Sequence, residues 1–249
     1  MPAKFDNIVA RLTNKIGMSQ TPVPGFILGL SGTDSILTFI LLYEAMKNHG
    51  LEHRLWGIHY VSGMRKNPSW FETDIIPWLK EKYPNAKVSV EIPLGGNQDQ
   101  QRWADLHLRA LNTISYDGYG GSRAIRSREL GENYWVAGCT NATEKALGTY
   151  SIMAKSVSMD PIASIYKSEV IDLCRGFGVP EVAIEMSQTP DCLCGRAEIA
   201  AHNIKLVDEI IAFKVDTRKY DPEILAEVFA YVLETKQANN FKNRTPFNV

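Results

Sequence analysis

Five consecutive residues, Ser31-Gly32-Thr33-Asp34-Ser35, carry the clearest chemical signal in the chain. They follow the apolar run Gly25-Phe-Ile-Leu-Gly-Leu30 and precede Ile36-Leu-Thr-Phe-Ile-Leu-Leu-Tyr43, which is the order strand, tight turn, helix. Free N–H groups at a helix start, together with the helix dipole, attract phosphate, so the run reads as a nucleotide site. Gly32 lets the backbone approach phosphates, and the hydroxyls of Ser31, Thr33 and Ser35 are available to bond them. Asp34 repels an anion unless a divalent cation lies between the two. The competing interpretation is an ordinary helix start, because Ser, Thr and Asp are also the residues that cap helices.

Other chemically capable residues are scattered. Arg123, Arg126 and Arg128 cluster after Gly118-Tyr-Gly-Gly121, either as a solvated face or as guanidinium forks for phosphate. The four cysteines, Cys139, Cys174, Cys192 and Cys194, are too few for a disulfide framework in a chain of this length. Cys192-Leu-Cys194 is tighter than the usual zinc spacing and has no histidine pair beside it.

The elements that must position these residues alternate. Phe5, Ile8, Val9, Leu12 and Ile16 predict a helix over 4–16. Apolar strand candidates recur at Leu55–Val61, Lys87–Ile92 and Tyr134–Gly138, with helical or loop sequence between them. This predicts an α/β fold, a doubly wound, mostly parallel sheet flanked by helices. Ligands gather at the carboxyl ends of such strands, so residues just after Leu30, Val61 and Val136 draw attention. An aromatic helix fits 70–83, with Pro77 as a kink or boundary, and serves as core or as an interface. The stretch 93–130 is irregular apart from a helix-like piece around Trp103–Leu111, and is expected to move. Tyr166, Val170, Leu173 and Phe177 form one face of a helix ending at Gly176 or Gly178. Amphipathic helices over 197–213 and 222–235 show no chemistry, and the tail from Asn239 to Val249 need not be ordered.

The 249 residues, 45% hydrophobic, suffice for one large α/β domain spanning 1–249. With 27 basic and 28 acidic residues the net charge is −1, which gives no field for nucleic acid or anionic membrane and favours small-molecule partners. No window approaches the roughly 18 apolar residues of a membrane span, and the start lacks a signal pattern. The expected location is the cytoplasm.

Two later runs connect these observations. Gly138-Cys-Thr-Asn-Ala-Thr-Glu144 follows the fourth strand, and Asp160-Pro-Ile-Ala-Ser-Ile-Tyr-Lys-Ser-Glu-Val170 comes soon after. With the Ser31–Ser35 turn they resemble the NAD synthetases, members of the ATP pyrophosphatase superfamily with a Ser-Gly-Gly-x-Asp-Ser loop. The second run is similar to that family's Asn-Pro-Ile-Ala-Asp-Leu-Tyr-Lys-Thr-Glu-Val almost residue for residue. The resemblance implies an adenine nucleotide alpha hydrolase-like fold. It also implies a ligase that adenylates the carboxylate of deamido-NAD with ATP, releases pyrophosphate, and lets ammonia displace AMP to give NAD. Free ammonia is expected, because 249 residues leave no room for a glutaminase domain. A homodimer is implied, with the aromatic helix near Trp70–Trp78 as one candidate surface.

Carried over residue by residue, the resemblance makes Asp34 and Glu144 the Mg²⁺ ligands and Lys167 the point charge that meets a phosphate or the developing charge. Ser31, Gly32, Thr33, Ser35, Thr140 and Arg123 would bind ATP, and Asp191, Arg126 and Lys155 the substrate, Asp191 at its nicotinate nucleotide. The chain departs from the family in three places, one of them Lys242-Asn-Arg244-Thr-Pro246, which only faintly matches the family's basic tail. Its loop is one residue shorter, and Tyr150-Ser-Ile-Met-Ala-Lys-Ser-Val-Ser158 replaces a Phe-Thr-Lys-Tyr-Gly-Asp segment, leaving Lys155 as the available cation. The alternatives are a related ligase for another carboxylate, or a nucleotide-binding module that has lost catalysis.

Overall fold

The computed structural model describes residues 3–18, 25–61, 67–92, 101–107, 134–189, 200–201 and 203–243. Four strands, β1 (Gly25–Gly29), β2 (Leu55–Tyr60), β3 (Lys87–Glu91) and β4 (Tyr134–Val136), form one sheet in the order β3-β2-β1-β4 with every pairing parallel. The chain moves from β1 outward to β2 and β3, then returns to lay β4 on the other side of β1. The reversal opens a crevice between the carboxyl ends of β1 and β4, because the connections after these strands leave in different directions.

Helix α2 (Thr33–Lys47) follows β1 directly, and twelve of its fifteen residues are buried. A helix apolar on almost every side must be enclosed, and α2 packs against α1 (Ala3–Gly17), β1 and β2. The α1 residues Phe5, Ile8, Leu12 and Ile16 are all buried in the same core.

At Pro77 the helix neither ends nor visibly breaks. Phe71–Ile75 forms a π turn, in which the Ile76 N–H bonds the Phe71 carbonyl, and α3 (Ile76–Lys82) continues through the proline. The wider turn accommodates a ring that would otherwise press on the carbonyl four residues back. Phe71, Ile75, Ile76 and Leu79 are core residues, with Trp70 and Trp78 packed against them, so the aromatic face is turned inward.

Beyond β3, residues 101–107 form α4. Most of the irregular 93–130 stretch lies outside the described residues. After β4 come α5 (Ala142–Leu147), a 3-10 turn at Ile152–Lys155, α6 (Lys167–Gly176), α7 (Glu181–Gln188), α8 (Ile204–Ile211) and α9 (Pro222–Asn243). The tail from Asn239, which by its sequence need not be ordered alone, is helical as far as Asn243. Helix α9 runs through it, anchored by Lys242 Nζ, which donates to the carbonyls of Gly148 and Tyr150 at 2.9 and 3.0 Å.

Candidate active site

The turn after β1 is held by its own serine. Ser35 Oγ accepts from the N–H groups of Ser31 and Gly32 at 2.9 and 3.1 Å, and donates to the Gly32 carbonyl at 2.8 Å. Gly32 is the helix N-cap, so Thr33, Asp34 and Ser35 form the first turn of α2. Asp34 is gripped from two sides. Lys167 Nζ forms an ion pair with Oδ2, and Asn141 Nδ2 donates to Oδ1 at 2.8 Å. Lys167 Nζ also donates to Thr33 Oγ1 at 2.9 Å, and both Thr33 and Lys167 are buried.

Asn141 and Glu144 are joined by a capping box that starts α5. Asn141 Oδ1 accepts the Glu144 N–H at 2.8 Å, and Glu144 Oε2 accepts the Asn141 N–H at 3.2 Å. The Gly-x-x-Asn-x-x-Glu spacing therefore has a local meaning, and the same cap directs the asparagine amide to Asp34.

A cavity of about 400 Å³ opens at the carboxyl ends of the strands. Its walls are Gly29–Gly32, Asp34 and Ser35 after β1, His59 and Tyr60 at the end of β2, and Arg102, Trp103 and Leu106 from α4. Ala137, Cys139, Thr140 and Glu144 close it after β4, with Thr149–Ser151 and Ala154 beyond. This volume is within the range of small-molecule sites.

His59 Nδ1 lies 2.8 Å from the Leu30 carbonyl oxygen, which only accepts, so that nitrogen carries the proton. Its ring stacks on Phe71 at 4.4 Å. Burial pushes the Cys139 thiol up, with the Asp34 charge adding to it, so this cysteine stays protonated and is a poor nucleophile. Burial likewise raises the Asp160 carboxyl, although the Thr140 N–H bond opposes it.

Of the residues expected from sequence, Ser31, Gly32, Asp34, Ser35, Thr140 and Glu144 line the cavity. Thr33 and Lys167 are not in its lining; they stand behind Asp34, because the inner face of α2 turns Thr33 toward α6. Lys155 is exposed, is not part of the cavity lining, and its ammonium is bonded to the Lys242 carbonyl. Arg123, Arg126 and Asp191 lie outside the described residues. Sequence inspection missed Asn141 as a partner of Asp34, Arg102 and Trp103 in the wall, and the buried Asp208. His59 and Tyr60 had a usable signal, their position at the carboxyl end of β2.

Asp34 and Glu144 provide hard carboxylate oxygens on one cavity. Among the described residues no group of three or more His, Cys, Asp or Glu surrounds a common point. That donor set fits Mg²⁺, which takes one or two carboxylates and completes its octahedron with water and substrate phosphates.

A parallel sheet whose strand order reverses beside a phosphate-type turn, with two carboxylates facing the crevice, defines an α/β protein of the nucleotide-binding class. A family model described as NAD synthase matches residues 128–246. The NH(3)-dependent NAD(+) synthetase of Methanosarcina acetivorans is 27% identical over 203 residues, 76% of this chain and 73% of its own. That of Chlorobium phaeovibrioides is 29% identical over 250 residues, 97% of this chain and 81% of its own. Among solved structures, the NH3-dependent NAD synthetase from Campylobacter jejuni superposes with a TM-score of 0.62 at 19% identity, covering 98% of this chain and 97% of that one. The NMN synthetase from Francisella tularensis gives 0.64 at 17% identity, covering 98% of each. The chain is thus similar to the NAD synthases over residues 128–246 and, at lower identity, to NH(3)-dependent NAD(+) synthetases over most of its length. Among the described residues, no helix is long and apolar enough to cross a membrane.

Proposed function

We propose that this protein amidates deamido-NAD to NAD with free ammonia and ATP, through an adenylated carboxylate, releasing AMP and pyrophosphate. The observation that carries this reading is the convergence of Asp34 and Glu144, from opposite sides of the strand-order reversal, on one cavity beside a helix N-terminus. Attack on the α-phosphate of ATP expels pyrophosphate, whose charge must be neutralised as it leaves. Bound between Asp34 and Glu144, Mg²⁺ would supply that neutralisation.

The protein's own groups do the rest. The first turn of α2 presents backbone N–H groups to phosphate. Asn141 and Lys167 hold the Asp34 carboxylate in one orientation, and Lys167, buried behind Asp34, balances its charge. Arg123 and Arg126 are assigned to the nucleotides and Asp191 to the nicotinate nucleotide on the strength of the motifs alone. A cytoplasmic homodimer belongs to the same reading.

A second reading keeps the adenylation and changes the acceptor. Tyr150, Ser151 and Ala154, from the segment that departs from the family pattern, form part of the cavity wall and would alter which carboxylate fits. Pyrophosphate release from ATP, measured with ammonia and either deamido-NAD or nicotinate mononucleotide, separates the two. Release dependent on deamido-NAD supports the first, and release only with the other carboxylate supports the second. ATP binding with no release under either condition rejects both.

A further inference from the structure

Helix α8 presents an apolar stripe, Leu206, Val207 and Ile210, to the core, and Asp208 is buried among them. Burying a carboxylate costs several kcal/mol unless hydrogen bonds replace its water, so its partners show what it is for. Asp208 Oδ1 accepts the Thr143 hydroxyl at 2.5 Å, and Oδ2 accepts the Ser168 N–H at 2.8 Å. Thr143 Oγ1 in turn accepts the Lys167 N–H at 2.9 Å.

Lys167 and Ser168 are the first two residues of α6, and the N-cap Tyr166 makes no side-chain cap bond. Two of the donors that every helix start leaves without an internal partner are therefore satisfied by α5 and α8. The carboxylate also lies at the positive end of the α6 dipole. Burial raises the Asp208 carboxyl, while the bonds from Thr143 and Ser168 pull it back. Three helices are thus tied together at the backbone from which the Lys167 side chain reaches Asp34 and Thr33. Asp208 itself lines neither the cavity of the candidate site nor the small one of about 30 Å³ behind Glu144.

We propose that Asp208 is a positioning residue: through Thr143 and the first turn of α6 it fixes the place from which Lys167 engages Asp34. The inference rests on the adenylation reading above, and its effect runs entirely through Lys167. Thr143 must donate to Asp208 and accept from the Lys167 N–H at the same time, which serine does equally and valine does not.

The test is a double-mutant cycle on the full chain. Asp208→Asn, Lys167→Met, Thr143→Val and Thr143→Ser are made alone, and Asp208→Asn is combined with Lys167→Met. Two quantities are read: kcat and KM for ATP-dependent pyrophosphate release, and the Kd of Mg·ATP by calorimetry, which needs no turnover. Asp208→Asn and Thr143→Val should each lower kcat by about tenfold or more, since small misplacements of a reacting group are costly. Thr143→Ser should stay within about twofold of the wild type, because it keeps both hydrogen bonds. In the Lys167→Met background Asp208→Asn should cause no further loss in either quantity, as expected for groups that act as a unit. Wild-type behaviour of Asp208→Asn, or an equal loss with and without Lys167, would overturn the proposal. Should Asp208→Asn fail to fold, the contrast between Thr143→Val and Thr143→Ser decides. If the wild type releases no pyrophosphate, the adenylation reading fails, and the cycle in Mg·ATP affinity still judges Asp208.

Discussion

Lys167 and Asp34 form an ion pair in which the lysine side chain is 4% exposed and the aspartate side chain 19%. The first residue of α6 is thereby locked to the first turn of α2, across the floor of the strand-order reversal. Removing one partner of such a pair is far more costly than removing both, because the survivor is left charged in a poorly solvated place.

Asp34→Asn should consequently have two effects. Turnover should fall by at least about 100-fold, as expected when a charge that stabilises the transition state is removed. Stability should also drop by about 3 kcal/mol, from the uncompensated Lys167 ammonium. Adding Lys167→Met should restore most of the stability and none of the activity. Urea midpoints alongside the pyrophosphate assay measure both, and a fully active Asp34→Asn enzyme would reject the metal assignment.

Glu144→Gln separates structure from chemistry differently. Glutamine completes a capping box as glutamate does, so the bond to the Asn141 N–H is retained and α5 should keep its start. Thermal unfolding should shift by no more than about 2 °C, which for a domain of this size is at most about 1 kcal/mol. Turnover should be lost, with Mg²⁺ titration showing weakened binding. Wild-type activity in this variant would remove Glu144 from the site.

Asp160 stands where the family motif has asparagine, and its buried Oδ1 has no hydrogen-bond partner among the described residues. A carboxyl raised by burial binds protons more readily in the folded state, so stability falls as pH rises from its ordinary value, near 4, through the raised one. Asp160→Asn should raise the urea midpoint at pH 7, lose that advantage below about pH 4, and flatten the profile between. A wild-type profile already flat across that window would contradict this. The same oxygen lies where a side chain at Gly138 would begin, 2.0 Å from an added Cβ, so Gly138→Ala should destabilise the wall of the cavity.

Lys242→Ala should act on binding. The ammonium ties the end of α9 to the carbonyls of Gly148 and Tyr150, and Tyr150 lines the cavity. Loosening that wall should raise KM for the nucleotide about threefold to tenfold with kcat little changed, the signature of lost uniform binding. Steady-state kinetics decide, and an unchanged KM would detach α9 from the site.

Local patterns were legible wherever neighbouring residues settled them. The apolar runs placed the four strands to within a residue or two at most ends, because a buried strand needs a short continuous run. Asn141 and Glu144 share a spacing that a capping box explains from the sequence alone. By contrast, the π turn before Pro77 and the helical path through Asn239–Asn243 depend on packing and anchoring partners far away in the chain. Arg102 and Asp208 had no local mark at all. Each acquires its meaning from elements remote in sequence, the cavity wall for one and the start of α6 for the other.

What the sequence determined by itself was the set of short-range choices: an alternating α/β chain, a phosphate-type turn at Ser31–Ser35, and two acids in the right local settings. Only the tertiary structure decided that these acids face one cavity, that Lys167 stands behind Asp34 rather than in the opening, and that Asp208 braces it. Strand order governs those outcomes. β4 returns beside β1, and a few ångströms of side-chain reach across that junction bring together residues that the covalent chain keeps more than a hundred positions apart.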